Sequence, residues 1–135
     1  MAKYNWDLSY ETGVEIIDNQ HKRLFEIIND LDEAIEAGKG REIYAALFEE
    51  LANYFTEHFG TEEKLMEKHE YPKMETHLEK HNDFTNKVKE FHRQALAGTE
   101  GVSLDVLQYL VNWLTDHIRA IDQEMGDYLI SKGER

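Results

Sequence analysis

The stretch that decides the fold is residues 74–91, METHLEKHNDFTNKVKEF. Its large apolar side chains, Met74, Phe84, Val88 and Phe91, are separated so that His77 and His81 complete one stripe with steps of three and four. That period belongs to an α-helix, and the sequence nowhere keeps strict strand alternation long enough to compete. The stripe also poses a problem, because two imidazoles sit on the side that should face a core.

Working outward, the same rhythm recurs three times. A first helix over about 18–37 carries Ile17, Leu24, Phe25, Ile28, Leu31 and Ile35, and Gly38 supplies its stop. A second over about 41–68 carries Ile43, Leu47, Leu51, Tyr54 and Leu65, and ends before Pro72, which suits the first turn of a third helix over about 72–97. A fourth over about 103–131, with Ser103 as its N-cap, carries Leu107, Leu110, Leu114, Ile121, Met125 and Tyr128. Short connections make the neighbours antiparallel, so the expected fold is all-α, an up-down-up-down four-helix bundle. Residues 1–13, with Trp6 and Tyr10, form an extended arm packed on it.

The totals bound the rest. With 135 residues, one proline and 41% hydrophobic residues, the chain fits a single domain over 1–135, burying about two thirds of its unfolded surface. Fifteen Lys and Arg against 28 Asp and Glu give a net charge of −13, which repels nucleic acid and anionic membranes. The start, MAKYNWDLSYETG, has no secretory signal pattern, and no run of 18 apolar residues exists, so a soluble, cytoplasmic protein is expected. Without cysteine, any metal must be held by nitrogen and oxygen.

Five of the seven histidines, His21, His58, His77, His81 and His117, fall on the apolar seams, as does Glu62. All four helices contribute. One buried histidine is ordinary core; five of them with a carboxylate would each carry a desolvation cost of a few kcal/mol unless paired or bound to metal. The spacing fits a metal: positions i and i+4 lie about 40° apart and one turn removed, so His77 with His81, and His58 with Glu62, each converge. Asp122 lies five residues after His117, about 140° away on an ideal helix, and reaches the centre only if the helix deforms or the aspartate enters from the flank.

Five imidazoles and two carboxylates are too many for one ion, and the mixture suits iron, manganese or zinc. Two ions joined by both carboxylates and by an oxo or hydroxo leave about one of their roughly twelve positions open. That vacancy falls on the ion held by His21 and His58. A small neutral ligand, dioxygen first among the candidates, suits an open position in an apolar pocket.

These residues resemble the hemerythrins, specifically the single-domain bacterial hemerythrins. The resemblance rests on the Trp6 arm, TGVEIIDNQHKRLFEIINDL, HFGTEE, HLEKH and WLTDHIRAID, which together cover nearly the whole chain. It implies a non-haem di-iron centre that binds dioxygen reversibly, with His77, His81 and His117 on one iron, His21 and His58 on the other, and Glu62 and Asp122 bridging. It further implies apolar walls from Leu24, Phe59, Trp113, Leu114 and Ile118. His69 and His92 are read as surface or supporting residues, and Glu63 as a capping or surface-pairing residue directed away from the metals.

Three other functions compete. A di-iron oxidase of the ferritin kind uses Glu-x-x-His pairs, whereas the residues three before the histidines are Asp18, Phe55, Met66, Met74, Leu78, Lys89 and Leu114. A sensor, in which oxygen or iron occupancy changes contacts with a partner, is the second; no appended signalling domain is present, so carriage is preferred, with a stand-alone sensor of oxygen or iron kept as the alternative. A purely structural metal would not need seven ligands with a vacancy. The reading is therefore a non-enzymatic oxygen carrier, a monomer serving transport, storage or transient hand-over to an oxygen-consuming enzyme.

Overall fold

The computed structural model describes residues 3–135. Among them all regular structure is helical: a single turn at Leu8–Tyr10, α1 (Glu15–Glu36), α2 (Tyr44–Lys68), α3 (Met74–Leu96), α4 (Val102–Trp113), a π-helical stretch (Leu114–Ile121) and α5 (Asp122–Ser131). Helix α1 packs on α2 and α4, and α3 packs on the same two, which closes an antiparallel four-helix bundle whose fourth member is α4, the π stretch and α5 in series. No described helix is long and apolar enough to cross a membrane.

Helix ends differ from expectation by a few residues, for local reasons. Helix α1 begins at Glu15 because the buried Asp18 carboxylate is used by the arm: it accepts from Thr12 N–H at 2.8 Å, Thr12 Oγ1 at 2.7 Å and Gly13 N–H at 3.2 Å. The arm continues outward through Tyr10, set edge-on to Phe25 at 4.9 Å, and through Tyr4, which exchanges backbone bonds with the Asn29 amide. Met1 and Ala2, where the predicted arm begins, lie outside the described residues. Gly38, at φ +73°, ends α1 as expected, with Lys39 N–H bonded to the Ala34 carbonyl. Ser103 is not an N-cap: left-handed Gly101, two residues earlier, takes that position, and Ser103 N–H instead meets the Tyr44 hydroxyl at 3.0 Å. Pro72 lies in the turn before α3 rather than in its first coil.

The end of α2 uses the same left-handed closure as Gly38, with Tyr71 N–H bonded to the Met66 carbonyl at 2.9 Å, but the left-handed position is Glu70, at φ 52°. A side chain there costs about 1–2 kcal/mol against glycine. Glu70→Gly is expected to raise unfolding free energy by up to about 1 kcal/mol after the added unfolded-state entropy, measured by urea denaturation.

The core is two apolar clusters separated by a polar layer. One contains Leu24, Leu51, Phe84, Leu110 and Ile118; the other contains Val14, Ile17, Met66, Tyr71, Met125 and Leu129. Along every helix the layer falls between them: His21 between Ile17 and Leu24, Glu62 between Phe59 and Met66, Asp122 between Ile118 and Met125. In the last turns the buried residues are Met66 rather than Leu65, and Asp122 and Leu129 rather than Ile121 and Tyr128. The second shift has one cause. The π stretch closes its turns with bonds from i+5, so each residue turns the chain less than in an α-helix and the buried face moves by one position.

Candidate metal centre

The polar layer brings together all seven predicted ligand positions. His21, His58, Glu62, His77, His81, His117 and Asp122 are each 0–2% exposed. His58 and Glu62 come from one face of α2, and His77 and His81 from one face of α3, each pair one turn apart. The π stretch resolves the poor spacing of the fourth helix: Asp122 N–H bonds to the His117 carbonyl, five residues back, which brings both side chains inward.

Two groups of donors form. Glu62, His77, His81 and His117 make one; His21, His58, Glu62 and Asp122 make the other, and within each the donor atoms all lie within 4.8 Å. The carboxylates divide their oxygens between the groups. Glu62 Oε1 is 2.9 Å from His81 Nε2 and 3.3 Å from His77 Nε2, while its Oε2 is 3.1 Å from His58 Nε2. Asp122 Oδ1 is 3.0 Å from His117 Nε2 and 3.1 Å from His77 Nε2, while its Oδ2 is 3.1 Å from His21 Nε2.

Close approach is not the same as satisfaction. The Nε2 atoms of His21, His81 and His117, with Glu62 Oε2 and Asp122 Oδ1, are buried without an aligned hydrogen bond. Polar atoms crowded on a common point without aligned partners fit a cation, which would remove the cost of leaving them unpaired. The nitrogen and oxygen set, with no thiolate, suits borderline-hard ions.

Without a cation the site stores charge in pairs. Burial disfavours the His21 and His77 cations, but Asp122 and Glu62 overcome it and hold the two pKa values up at about 9 and about 10. Burial prevails at His58, whose pKa is lowered. Glu62 and Asp122 stay well below the carboxylate range: burial, and for Asp122 the Glu62 charge, oppose ionisation, yet the surrounding imidazoles prevail.

The ring faces are supported by aromatic residues. Phe59 lies parallel on His81 at 3.8 Å, Trp113 on His117 at 3.9 Å and Tyr54 on His58 at 5.2 Å. Leu24, Leu114 and Ile118 are 0–2% exposed in the same apolar cluster. Between α1 and α2 an open cleft of about 600 Å³, lined by Gln20, Arg23, Tyr54, Glu57 and His58 among others, reaches the His58 side of the layer.

Sequence reasoning missed three supporting groups. Gln20 Oε1 meets His58 Nδ1 at 2.7 Å, and Glu63 Oε2 meets His81 Nδ1 at 3.1 Å, so Glu63 pairs from the half-exposed edge of the bundle with a residue of the site itself. Its five-residue offset from His58 turns it off the centre, as expected, but towards α3. Tyr54 is the third: its hydroxyl is buried without a partner. Nothing in spacing along one helix reveals contacts made between helices. His69 and His92 stay outside the layer: His69 bonds Glu134 at 2.8 Å and His92 stacks on Phe48 at 4.8 Å.

Comparison with known proteins agrees with this geometry. Residues 12–129 match the family model described as "Hemerythrin HHE cation binding domain". Bacteriohemerythrin of Pseudomonas aeruginosa (strain PAO1) is 39% identical over 122 residues, covering 90% of this chain and 78% of that one. Bacteriohemerythrin of Methylococcus capsulatus (strain Bath) is 29% identical, with 96% and 98% covered. A wild-type hemerythrin crystal structure superposes with a TM-score of 0.78 at 27% identity, covering 95% of this chain and 98% of that chain. A match over most of the chain, on a bundle whose polar layer presents cation donors, leaves one assignment: the chain belongs to the hemerythrin family.

Proposed function

We propose that the protein binds dioxygen reversibly at two iron ions joined by an oxo or hydroxo bridge, and that it acts as a carrier rather than an enzyme. The observation that carries the reading is the division of oxygens by Glu62 and Asp122, one oxygen of each carboxylate to each histidine group. Such carboxylates are placed to hold two ions side by side. His77, His81 and His117 would hold one, His21 and His58 the other. The iron pair, when bound, would supply the electrons that make dioxygen binding both possible and reversible.

The chain's own residues do the rest. Phe59, Trp113 and Tyr54 keep three imidazole planes from rotating. Leu24, Leu114 and Ile118 are the walls that exclude water and slow oxidation of the centre. The cleft beside His58 gives access from the two-histidine side, where the vacancy is expected. Nitrogen donors outnumber carboxylates five to two, which provides fewer anionic oxygens to stabilise high-valent iron and favours binding over oxidation. Storage, transport or hand-over to an oxygen-consuming enzyme by a cytoplasmic monomer is the physiological form of this reading.

The test is spectroscopic. Iron-loaded protein is reduced anaerobically, dioxygen is admitted, and the visible spectrum is followed as the gas is removed. A band that appears and then disappears supports the carrier; irreversible oxidation with substrate turnover supports a di-iron oxidase instead. His69→Ala is expected to retain the band and full iron content, since His69 pairs with Glu134 at the bundle's end.

Loading also moves protons. With pKa values of about 9 and about 10, His21 and His77 are cationic at pH 7.5 in the metal-free protein, and ligation requires both to lose their protons. Uptake of two ions should therefore release about two protons per chain from these groups, read with a pH indicator in weak buffer. The sign for stability follows: their contribution to metal-free folding is complete below about 6.5, the unfolded value, and is lost as pH rises through about 9 and about 10.

A further inference from the structure

The two halves of the layer have different partners behind them. On the two-histidine side, His58 turns Nε2 inward, 3.1 Å from Glu62 Oε2, and Nδ1 outward to Gln20 Oε1 at 2.7 Å. The orientation of that amide is fixed. Thr61 Oγ1 gives its proton to the Glu57 carbonyl at 2.9 Å, so it can only accept from Gln20 Nε2 at 3.0 Å. Gln20 Oε1 must therefore accept, His58 Nδ1 carries the hydrogen, and Nε2 keeps its lone pair for the centre.

On the three-histidine side, His81 turns Nε2 inward, 2.9 Å from Glu62 Oε1, and Nδ1 outward to Glu63 Oε2 at 3.1 Å. A carboxylate can only accept, so the tautomer is the same. The difference is charge: His58 donates to a neutral amide, His81 to an anion. A carboxylate behind an imidazole raises its basicity as a ligand. The Phe59 ring stacked on His81 blocks rotation, so the Glu63 contact and the inward lone pair are maintained together. Glu63 is 39% exposed, so solvent reduces its influence without cancelling it.

We propose that Glu63 and Gln20 are positioning residues that make the two metal positions electronically unequal. Glu63 strengthens the three-histidine position through His81 and stabilises the more oxidised state of the ion there. Gln20 fixes His58 without adding charge, which leaves the two-histidine position the weaker and more easily reduced. The inference rests on the di-iron reading and deepens it, since a weaker donor set at the open position favours release of a bound ligand.

The test compares wild type, Glu63→Gln and Gln20→Glu, each loaded with iron. Both changes keep side-chain shape; in Gln20→Glu the oxygen that replaces Nε2 requires the Thr61 hydroxyl to turn its proton from the Glu57 carbonyl towards it, and circular dichroism checks that the bundle is intact. Chelator-driven iron loss and the midpoint potential of the centre are measured. In Glu63→Gln, one iron of two should leave about 10-fold faster, with the potential shifted upward; in Gln20→Glu the potential should shift downward and iron loss from the weaker position should slow. A purely structural role would move iron loss in both variants the same way and leave the potential unchanged, which overturns the proposal. So does a Glu63→Gln protein identical to wild type in both readouts. Wild type holding fewer than two iron ions overturns the di-iron reading itself, and this inference with it; two ions in wild type with unresponsive variants overturns the inference alone.

Discussion

Glu62→Ala is expected to empty the centre. Retained iron should fall from about two ions per chain to about none after gel filtration, because one substitution removes a donor from both groups at once. No histidine has that reach: His58 contacts one Glu62 oxygen, and His81 and His77 contact the other. Loss of Glu62 also withdraws one of the two counter-charges beside His21 and His77, so their pKa values should drop, with Asp122 still holding them up against burial. Glu62→Gln separates charge from shape. It keeps one acceptor oxygen and loses the anion, so it should hold at most one ion, weakly. Elemental analysis and circular dichroism together decide the matter: wild-type iron in the Ala variant would mean that Glu62 does not join the two halves.

Gly126→Ala should produce the largest loss of stability among conservative changes. A Cβ built there would lie 2.8 Å from the Thr12 carbonyl oxygen, 2.8 Å from its Cβ and 3.1 Å from its Cα. Backbone cannot yield as a side chain can, and Thr12 is further held by two bonds to the Asp18 carboxylate. Either the arm lifts or α5 moves, at a cost of about 2–3 kcal/mol, or a fall in melting temperature of about 5–10 °C for a chain this size. Gly60→Ala is the matched control. It is also helical but has nothing within 4 Å of its added Cβ, so helix propensity should raise stability by up to about 1 kcal/mol. Equal melting temperatures for the two variants would mean that the arm is not seated on α5 as described.

Much of this was legible in the sequence, in proportion to how local the cause was. The seams through Leu24, Leu51 and Phe84 follow from a period of 3.6, and the placement of His77 and His81 follows from the same arithmetic. Gly38 stops α1 as its chemistry requires. What could not be read depends on contacts between elements or on departures from ideal winding. Ser103 has the side chain of an N-cap but is engaged through its backbone by Tyr44. Glu63 looked peripheral because its partner, His81, belongs to another helix. Asp18 appeared to be a helix start and is instead the clasp of the arm. Asp122 had the wrong spacing for any α-helix, and family resemblance alone argued for it.

That last residue shows what the π stretch does for the end of the chain. Wound as a plain α-helix of the same length, Leu114–Ile121 would turn α5 by about 100° around its axis, moving Asp122 and Leu129 off the seam and bringing Ile121 and Tyr128 onto it. The stretch is thus a torsional setting for the ten residues that follow. Because of that setting Asp122, Met125 and Leu129 face the interior, while Glu124 and Asp127 face outward.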